Sequence, residues 1–236
     1  MQTQEEDSSR LTTQQLIDAV RNKNLTYLKP ARLRVLADIC DELERNNEAG
    51  DIIEAGCALG GSAILITHIK NQRRKLRVYD VFSMIPPPGD KDGEDVKARY
   101  AVIKSGKSKG IKGGTYYGYV KELKRKVIDS FSEFGLPVSK YNVELVEGMI
   151  QDTLDVNAPI CLAHIDVDWY DPVYTCLSRI EPELIINGYI VVDDYNDWSG
   201  CHTAVDDYFR DKKRRFSFDA SRGSLVIKKL TDGQAS

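Results

Sequence analysis

Four aspartates near the middle of the second half of the chain are the residues best suited to chemistry. Asp166 and Asp168 follow the apolar stretch A-H-I, and Asp193 and Asp194 follow the apolar stretch G-Y-I-V-V. Four carboxylates meeting at one edge would repel one another unless a divalent cation or a proton relieved the repulsion. Carboxylate oxygens suit hard cations such as Mg²⁺, Ca²⁺ and Mn²⁺. The alternative, that Asp193 and Asp194 only begin a loop, stays open because Asp is a common turn residue.

A glycine-containing turn after the first predicted strand is the second informative feature. The strand over 51–55 leads into G-C-A-L-G-G-S and then into a predicted helix over 63–70. Gly56 and Gly60 allow a sharp turn and allow a ligand to lie against bare main chain. The order strand, turn, helix is typical of a nucleotide-binding α/β unit, although the pattern differs from the dinucleotide motif G-x-G-x-x-G. A second strand ends at Asp80, which is placed to accept hydrogen bonds from ribose hydroxyls or is an ordinary loop acid.

The remaining sequence predicts a single α/β domain over 1–236. Two amphipathic helices within 1–46 precede the first strand. Five strands alternate with helices, and a hairpin built from 216–218 and 225–227 follows, which predicts a mainly parallel seven-stranded sheet with an antiparallel C-terminal hairpin. Ligands of such sheets bind beyond the carboxyl ends of the strands. The two aspartate pairs would therefore meet at the ligand-binding edge.

An insertion over 83–118 interrupts this pattern. It is rich in proline and glycine, so we expect it to lack regular structure and to act as a lid that its glycines allow to open and close. Residues 97–126 contain ten Lys or Arg and one acid, Glu122. Recognition of an anionic substrate and an ordinary solvated basic loop both agree with this charge.

Composition excludes several classes of protein. A formal net charge of −3 argues against a general nucleic-acid-binding protein. The five cysteines are odd in number and widely spaced, which indicates reduced core residues. The sequence shows neither a signal-peptide pattern nor an apolar run of membrane-spanning length. We therefore expect a cytoplasmic protein with no nucleic-acid or membrane partner.

Taken in order, the motifs resemble those of class I S-adenosylmethionine-dependent methyltransferases, and more narrowly the macrocin O-methyltransferase (TylF-type) family. The resemblance spans about 33–226 and rests on E-A-G-C-A-L-G-G-S, Y-D-V-F-S-M-I-P, G-M-I-Q-D-T-L, I-D-V-D-W-Y-D and G-Y-I-V-V-D-D-Y. It implies a Rossmann-like fold with helices on both faces of the sheet. It also implies methylation of a hydroxyl on a small molecule, foremost a deoxysugar of a natural product, by a homo-oligomer of dimer size or larger.

The resemblance implies roles for individual residues as well. Mg²⁺, or another hard divalent cation, would be bound by Asp166, Asp193 and Asp194, and Asp168 matches the carboxylate suspected as general base. His202 is a rival base with an intrinsic pKa near neutrality, or a polar residue at a helix start. S-adenosylmethionine would be held by residues within or just after the first four strands: Glu54, Gly56, Cys57, Ala58, Gly60, Gly61, Ser62, Asp80, Ser83, Gly148, Met149, Ile150, Gln151 and Asp166.

Other functions stay open at this level. A metal-dependent glycosyltransferase could use I-D-V-D as its D-x-D motif, although that class does not need the glycine turn. A catechol-type phenol O-methyltransferase would use the same metal ligands. Trp169, Tyr170 and Trp198 either form an aromatic wall for a sugar or a planar ring, or pack near the edge of the sheet. A binding or scaffold protein without turnover is a third alternative, against which the intact carboxylates speak. The family more often carries glycine where this chain has Val167, and the stretch 95–118 matches the family poorly. The resemblance therefore says least about the identity of the substrate.

Overall fold

The computed structural model describes residues 11–232 and shows seven strands and eight α-helices there. The strands are β1 Asp51–Ala55, β2 Leu76–Asp80, β3 Val143–Glu147, β4 Ile160–Ile165, β5 Leu184–Val192, β6 Phe216–Asp219 and β7 Leu225–Lys229. The α-helices are α1 Thr13–Asn22, α2 Pro30–Arg45, α3 Gly61–Ile69, α4 Glu94–Lys104, α5 Leu123–Glu133, α6 Ile150–Thr153, α7 Tyr170–Ile180 and α8 Ser199–Phe209.

Local sequence explains where the first two helices begin. Thr12 caps α1, because its side chain accepts from the Gln15 amide while the Gln15 side chain accepts from the Thr12 amide. Pro30 occupies the first turn of α2, where its fixed φ suits a helix and its missing N–H costs nothing. The two amphipathic helices predicted before the first strand are therefore present; α2 contacts α3 and the strands β4 and β5, and α1 packs on α3 and α2.

The strands form one sheet in the order β3-β2-β1-β4-β5-β7-β6. β3, β2, β1, β4 and β5 are parallel, whereas β7 runs antiparallel to β5 and β6 antiparallel to β7. The predicted Rossmann-like, mainly parallel sheet with an antiparallel C-terminal hairpin is confirmed. The strand order reverses between β1 and β4, so the crevice at their carboxyl ends is the expected ligand site.

Helices cover both faces of the sheet. One buried cluster joins α1, α2, α3 and α5 to the first face, with Phe131 and Leu33 fully enclosed. The other joins α7 and α8 to the second face and contains Val173 and Phe209. All five cysteines are buried and unpaired, which agrees with their predicted role as reduced core residues.

The insertion over 83–118 is more ordered than its sequence predicts. It contains the eleven-residue helix α4, so the expectation of a segment without regular structure is wrong. α4 buries Val96 and Ile103 in a small third cluster with Trp169, and this contact with the main domain stabilises a helix whose amphipathic pattern is weak in sequence. The sequence does not predict this helix because tertiary packing can override the local sequence signal.

In the described part of the chain, no helix is both long enough and apolar enough to cross a membrane.

Candidate active site

Two adjoining cavities open at the carboxyl edge of the sheet, where β1 and β4 lie side by side. The first, of about 180 Å³, extends toward the ends of β2 and β3, and the second, of about 340 Å³, extends toward the end of β5. Their shared wall includes Gly56, Asp80, Tyr117, Asp166, Asp168 and Trp169. The arrangement allows two ligands to meet across a common wall.

The first cavity contains many of the residues expected to bind S-adenosylmethionine. Gly56 and Asp80 line one side of it, and the turn after β3 supplies Gly148, Met149, Ile150 and Gln151. Asp166 completes the wall at the end of β4. Ala58 lines the second cavity instead.

Asp80 is buried and accepts hydrogen bonds from backbone amides of the glycine turn. Its Oδ2 accepts from the amides of Cys57 at 2.8 Å and Ala58 at 3.1 Å, and its Oδ1 accepts from the amide of Phe82 at 2.7 Å. Burial raises the pKa of this carboxyl, and the three amide donors oppose that rise. Asp80 therefore joins the two turns that border the cavities, in addition to facing the first cavity.

Gly56 is required by close packing of the backbone. It has φ +82°, and a Cβ at this position would lie 1.9 Å from the carbonyl oxygen of Asp166. Only glycine allows the turn after β1 to approach the end of β4 this closely.

The other two glycines of the turn face protein rather than ligand. A Cβ at Gly60 would lie 2.9 Å from Val127 Cγ1, and one at Gly61 would lie 2.7 Å from the carbonyl oxygen of Leu25. Neither lines a cavity. Gly60 therefore has a packing role against α5, and its predicted contact with a ligand stays a prediction.

Glu54 lies beneath the cavity floor, fully buried, beside His164 on the neighbouring strand. The two residues are register partners, and His164 Nδ1 lies 3.0 Å from Glu54 Oε1. Glu54 Oε2 and His164 Nε2 have no hydrogen-bond partner among residues 11–232. Glu54 touches neither cavity, so any influence on a bound ligand passes through its neighbours.

The predicted metal ligands do converge. Asp166, Asp193 and Asp194 each offer a carboxylate oxygen, and these oxygens lie within 4.8 Å of one another. Asp193 and Asp194 are 4% and 7% exposed, and Asp194 Oδ2 is buried without a hydrogen-bond partner in the described chain. Burial, and then the neighbouring negative charges, raise the pKa of both Asp166 and Asp194. A bound cation would offset the repulsion among these carboxylates.

Asp193 is held from both sides by residues distant in sequence. Arg32 Nη1 donates to its Oδ2 at 2.6 Å, and Ser224 Oγ donates to its Oδ1 at 2.7 Å. Arg32 also donates to Asp197 at 2.6 Å. The carboxylate group is fixed in orientation, and part of its charge is balanced by the guanidinium.

Asp168 faces the shared wall from a constrained backbone. Its φ is +58°, in the left-handed region that residues other than glycine seldom adopt. Burial raises the pKa of its carboxyl to about 6, while a hydrogen bond from Trp198 and the charge of Arg99 oppose the rise. A carboxylate with a pKa near 6 accepts a proton more readily than one with an ordinary value.

Aromatic side chains form much of the wall of the second cavity. Trp169 and Trp198 contribute, with ring centroids 6.0 Å apart, as do Tyr27, Tyr116 and Tyr117. The tryptophans agree with the predicted aromatic wall, whereas Tyr170 lines neither cavity. The tyrosines come from the loop before α2 and from the insertion, which the sequence gives no reason to bring together.

Several predicted site residues lie away from both cavities. The side chain of His202 is 49% exposed, stacks on Tyr195 and approaches the Asp206 carboxylate at 3.5 Å. Cys57, Ser62 and Ser83 also lie outside the cavity walls, Ser83 being exposed. Conversely, sequence reasoning missed Arg32, Arg99 and Ser224, because only the tertiary fold places them here.

Comparisons with known proteins identify the family of this chain. A family model described as "Macrocin-O-methyltransferase (TylF)" matches residues 4–217. Among curated proteins, demethyldecarbamoylnovobiocin O-methyltransferase of Streptomyces niveus is 28% identical over 209 residues, covering 86% of this chain and 72% of the relative. A second relative, from Streptomyces olivaceus, is 8-demethyl-8-(2,3-dimethoxy-alpha-L-rhamnosyl)-tetracenomycin-C 4'-O-methyltransferase. It is 26% identical over 167 residues, which cover 67% of this chain and 58% of the relative.

A solved structure shows the same fold. The O-methyltransferase NovP superposes with a TM-score of 0.73 at 22% identity, over 91% of this chain and 88% of NovP. The glycosyltransferase and scaffold hypotheses are not supported, because the family match spans most of the chain and describes methyl transfer. The protein is an O-methyltransferase that belongs to the macrocin O-methyltransferase (TylF) family.

Proposed function

We propose that this enzyme transfers a methyl group from S-adenosylmethionine to a hydroxyl of a natural-product sugar, with the help of Mg²⁺ or another hard divalent cation. The observation that carries the proposal is the pair of adjoining cavities whose shared wall contains Asp166 and Asp168. The donor would occupy the first cavity and the acceptor the second. A methyl group and a hydroxyl could then meet at the wall.

The first cavity suits S-adenosylmethionine, which supplies an activated methyl group when bound. Asp80 would accept hydrogen bonds from ribose hydroxyls with the lone pairs that its three backbone partners leave free. The turn at Gly148 and Met149 would border the adenine. Gly56 allows the ligand to lie beside the end of β4.

The carboxylates of Asp166 and Asp194, with the fixed carboxylate of Asp193, suit a hard divalent cation. The buried, unpartnered Asp194 Oδ2 is the atom that most needs one. Such a cation, when bound, orients an acceptor with neighbouring hydroxyls and makes a hydroxyl more acidic.

Asp168 is the residue that we assign as proton acceptor. It lies in the shared wall, and its raised pKa suits removal of a proton from an acceptor hydroxyl. The indole of Trp198 donates to it and thereby orients it. His202 is the weaker candidate because its ring packs on Tyr195 outside both cavities.

A sugar or another small cyclic alcohol suits the aromatic wall of the second cavity. Tyr117, Trp169 and Trp198 present flat apolar surfaces beside the acidic floor. The names of the two related enzymes also describe methylation of natural products, one of them rhamnosylated.

Calorimetry with S-adenosylmethionine tests the donor assignment. We expect Asp80→Ala to weaken binding at least about tenfold, since it removes a contact to the ligand and the brace of the turn. Asp129→Ala, on the exposed face of α5, is the matched control and should bind as the wild type does. No binding by the wild type, or equal binding by Asp80→Ala, would contradict the donor assignment.

Metal removal tests the cation separately. After treatment with EDTA, we expect methyl transfer to stop and to return with added Mg²⁺. Mn²⁺ binding, followed by electron paramagnetic resonance, should weaken in Asp194→Asn and remain unchanged in Asp129→Asn. Full turnover in EDTA together with unchanged Mn²⁺ binding by Asp194→Asn would refute the cation but leave the donor assignment intact.

We also infer a cytoplasmic location and a homo-oligomer. The five free, buried cysteines suit a reducing compartment, and the family resemblance suggests the oligomer. Cell fractionation and light scattering would test the two inferences.

A further inference from the structure

Three basic side chains line the second cavity, and they differ in whether they have hydrogen-bond or ion-pair partners. Arg32 is bound by Asp193 and Asp197, each at 2.6 Å. Arg99 is only partly exposed, yet neither a hydrogen bond nor an ion pair joins it to any other residue of 11–232. The guanidinium of Arg99 therefore has five donors that the described protein leaves for something else. Lys29, exposed at the start of α2, is likewise unpaired within this range.

Arg99 contacts a buried aromatic ring although its donors are not used. Its guanidinium carbon lies 5.6 Å from the centroid of the Tyr116 ring, within the range of cation–π attraction. The helix that carries it, α4, buries Val96 and Ile103 and is attached to α8, where the Ser199 amide donates to Asp95 at 2.9 Å. Arg99 is thus presented to the cavity by a packed element.

Charges of both signs line the second cavity. Asp166, Asp168 and Asp194 contribute carboxylates, and Arg99 and Lys29 contribute positive charge beside Tyr27 and Tyr116. Burial raises the pKa of Asp168 and the charge of Arg99 opposes that rise, but no hydrogen bond joins the two residues. An acceptor that fills the cavity therefore meets carboxylates and also cations whose hydrogen-bond donors the described protein does not use. A neutral sugar would offer these cations no anion to bind.

We propose that Arg99, assisted by Lys29, binds an anionic group of the acceptor, a phosphate or a carboxylate, that lies beyond the hydroxyl to be methylated. The planar fork of a guanidinium matches both anions with paired hydrogen bonds. Arg99 is thereby a specificity-determining residue. The inference rests on the proposed function in that it places the acceptor in the second cavity.

Three sugars that share the glucose-type ring provide the test: glucose 1-phosphate carries a phosphate, glucuronate carries a carboxylate, and glucose carries no charge. Their binding is measured by ligand-detected NMR at low salt, in EDTA and without S-adenosylmethionine, so that neither cation nor donor contributes. We expect one charged sugar to bind at least about tenfold more tightly than glucose, and we expect salt to weaken that binding. Which charged sugar binds identifies the anion as phosphate or carboxylate.

Variants assign the effect to Arg99. Arg99→Gln should abolish the preference for the charged sugar, Arg99→Lys should retain part of it, and Lys29→Gln should reduce it. Lys104→Gln is the matched control, because Lys104 is exposed on the same helix and lines neither cavity. S-adenosylmethionine should bind equally to all four variants, which excludes loss of fold as the cause.

Three results would overturn the proposal: equal binding of all three sugars by the wild type, an unchanged preference in Arg99→Gln, or an equal loss in Lys104→Gln. Kinetics with an accepted substrate give a second criterion. Anion binding predicts that Arg99→Gln raises KM at least about tenfold with little change in kcat, whereas a fall in kcat at constant KM would mean that Arg99 only balances the carboxylates. Failure of S-adenosylmethionine to bind any variant or the wild type would instead contradict the donor assignment.

Discussion

Replacing Gly56 by alanine should damage both the fold and the donor cavity. Gly56 has φ +82°, and the added Cβ would lie 1.9 Å from the carbonyl oxygen and 2.8 Å from the carbonyl carbon of Asp166. Backbone atoms cannot rotate out of the way as a side-chain end can. The turn after β1 and the end of β4 must therefore move apart.

The expected loss of stability has two parts. The left-handed backbone costs alanine roughly 1–2 kcal/mol. Overpacking against the Asp166 backbone adds roughly 1–3 kcal/mol. Gly113 is the matched control, because it has φ +80° but nothing within 4 Å of its added Cβ. Gly113→Ala should lose only the first part.

Urea denaturation of both variants measures the two free energies of unfolding, and calorimetry measures binding of S-adenosylmethionine. We expect Gly56→Ala to be less stable than Gly113→Ala by about 1–3 kcal/mol, and to bind the ligand more weakly. If the two variants lose the same stability, close approach to Asp166 is not the reason for glycine at this position. Unchanged ligand binding by Gly56→Ala would show that the cavity does not depend on this packing.

Three further perturbations test other parts of the molecule. Burial raises the pKa of Glu181, but hydrogen bonds from Lys212 and Tyr208 outweigh that effect, so its pKa lies below the ordinary 4.5. Glu181→Gln should lower the free energy of unfolding at pH 7, measured by urea denaturation, by roughly 2–3 kcal/mol. The difference in free energy of unfolding between variant and wild type should become smaller only as the pH falls below about 4.5. Asp168→Asn should lower kcat by about 10²- to 10⁴-fold in a labelled-methyl assay while His202→Asn stays within about threefold, and the reverse order would reassign the base. His164→Leu should lower the free energy of unfolding by about 3–5 kcal/mol, because it leaves the buried Glu54 carboxylate without its partner. Combining it with Glu54→Leu should restore most of the lost stability, as measured by thermal or urea unfolding.

Most of the fold could be predicted from the sequence because its signals are local. The strand over 51–55 and the glycine turn after it stand out as an apolar run and a loop signal, and Pro30 marks the start of a helix. Helix α4 could not be predicted, because its apolar residues do not form one stripe and its stability comes from packing on Trp169. Strand β5 also begins earlier than the apolar run suggests, at Leu184 instead of Gly188.

The carboxylates of the site could be predicted for a related reason. Asp166 and Asp194 follow parallel strands whose ends must meet at one edge of the sheet, so topology alone brings them together. Arg32, Arg99 and Ser224 come from segments whose placement depends on how helices and the hairpin pack. Their spacing in sequence carries no periodic or motif signal, and only the folded chain shows their role.

The hydrogen bonds of Asp193 have a consequence for how the enzyme becomes active during its synthesis. Arg32 lies 161 residues before this aspartate, and Ser224 lies 31 residues after it, at the start of β7. β7 inserts between β5 and β6, so the sheet is incomplete until β7 has been synthesised. Contacts of such long sequence separation require a large loop to close. A nascent chain that has not yet released β7 therefore lacks the Ser224 hydroxyl that orients Asp193, and the acidic cluster reaches its full set of contacts only once β7 has paired with β5.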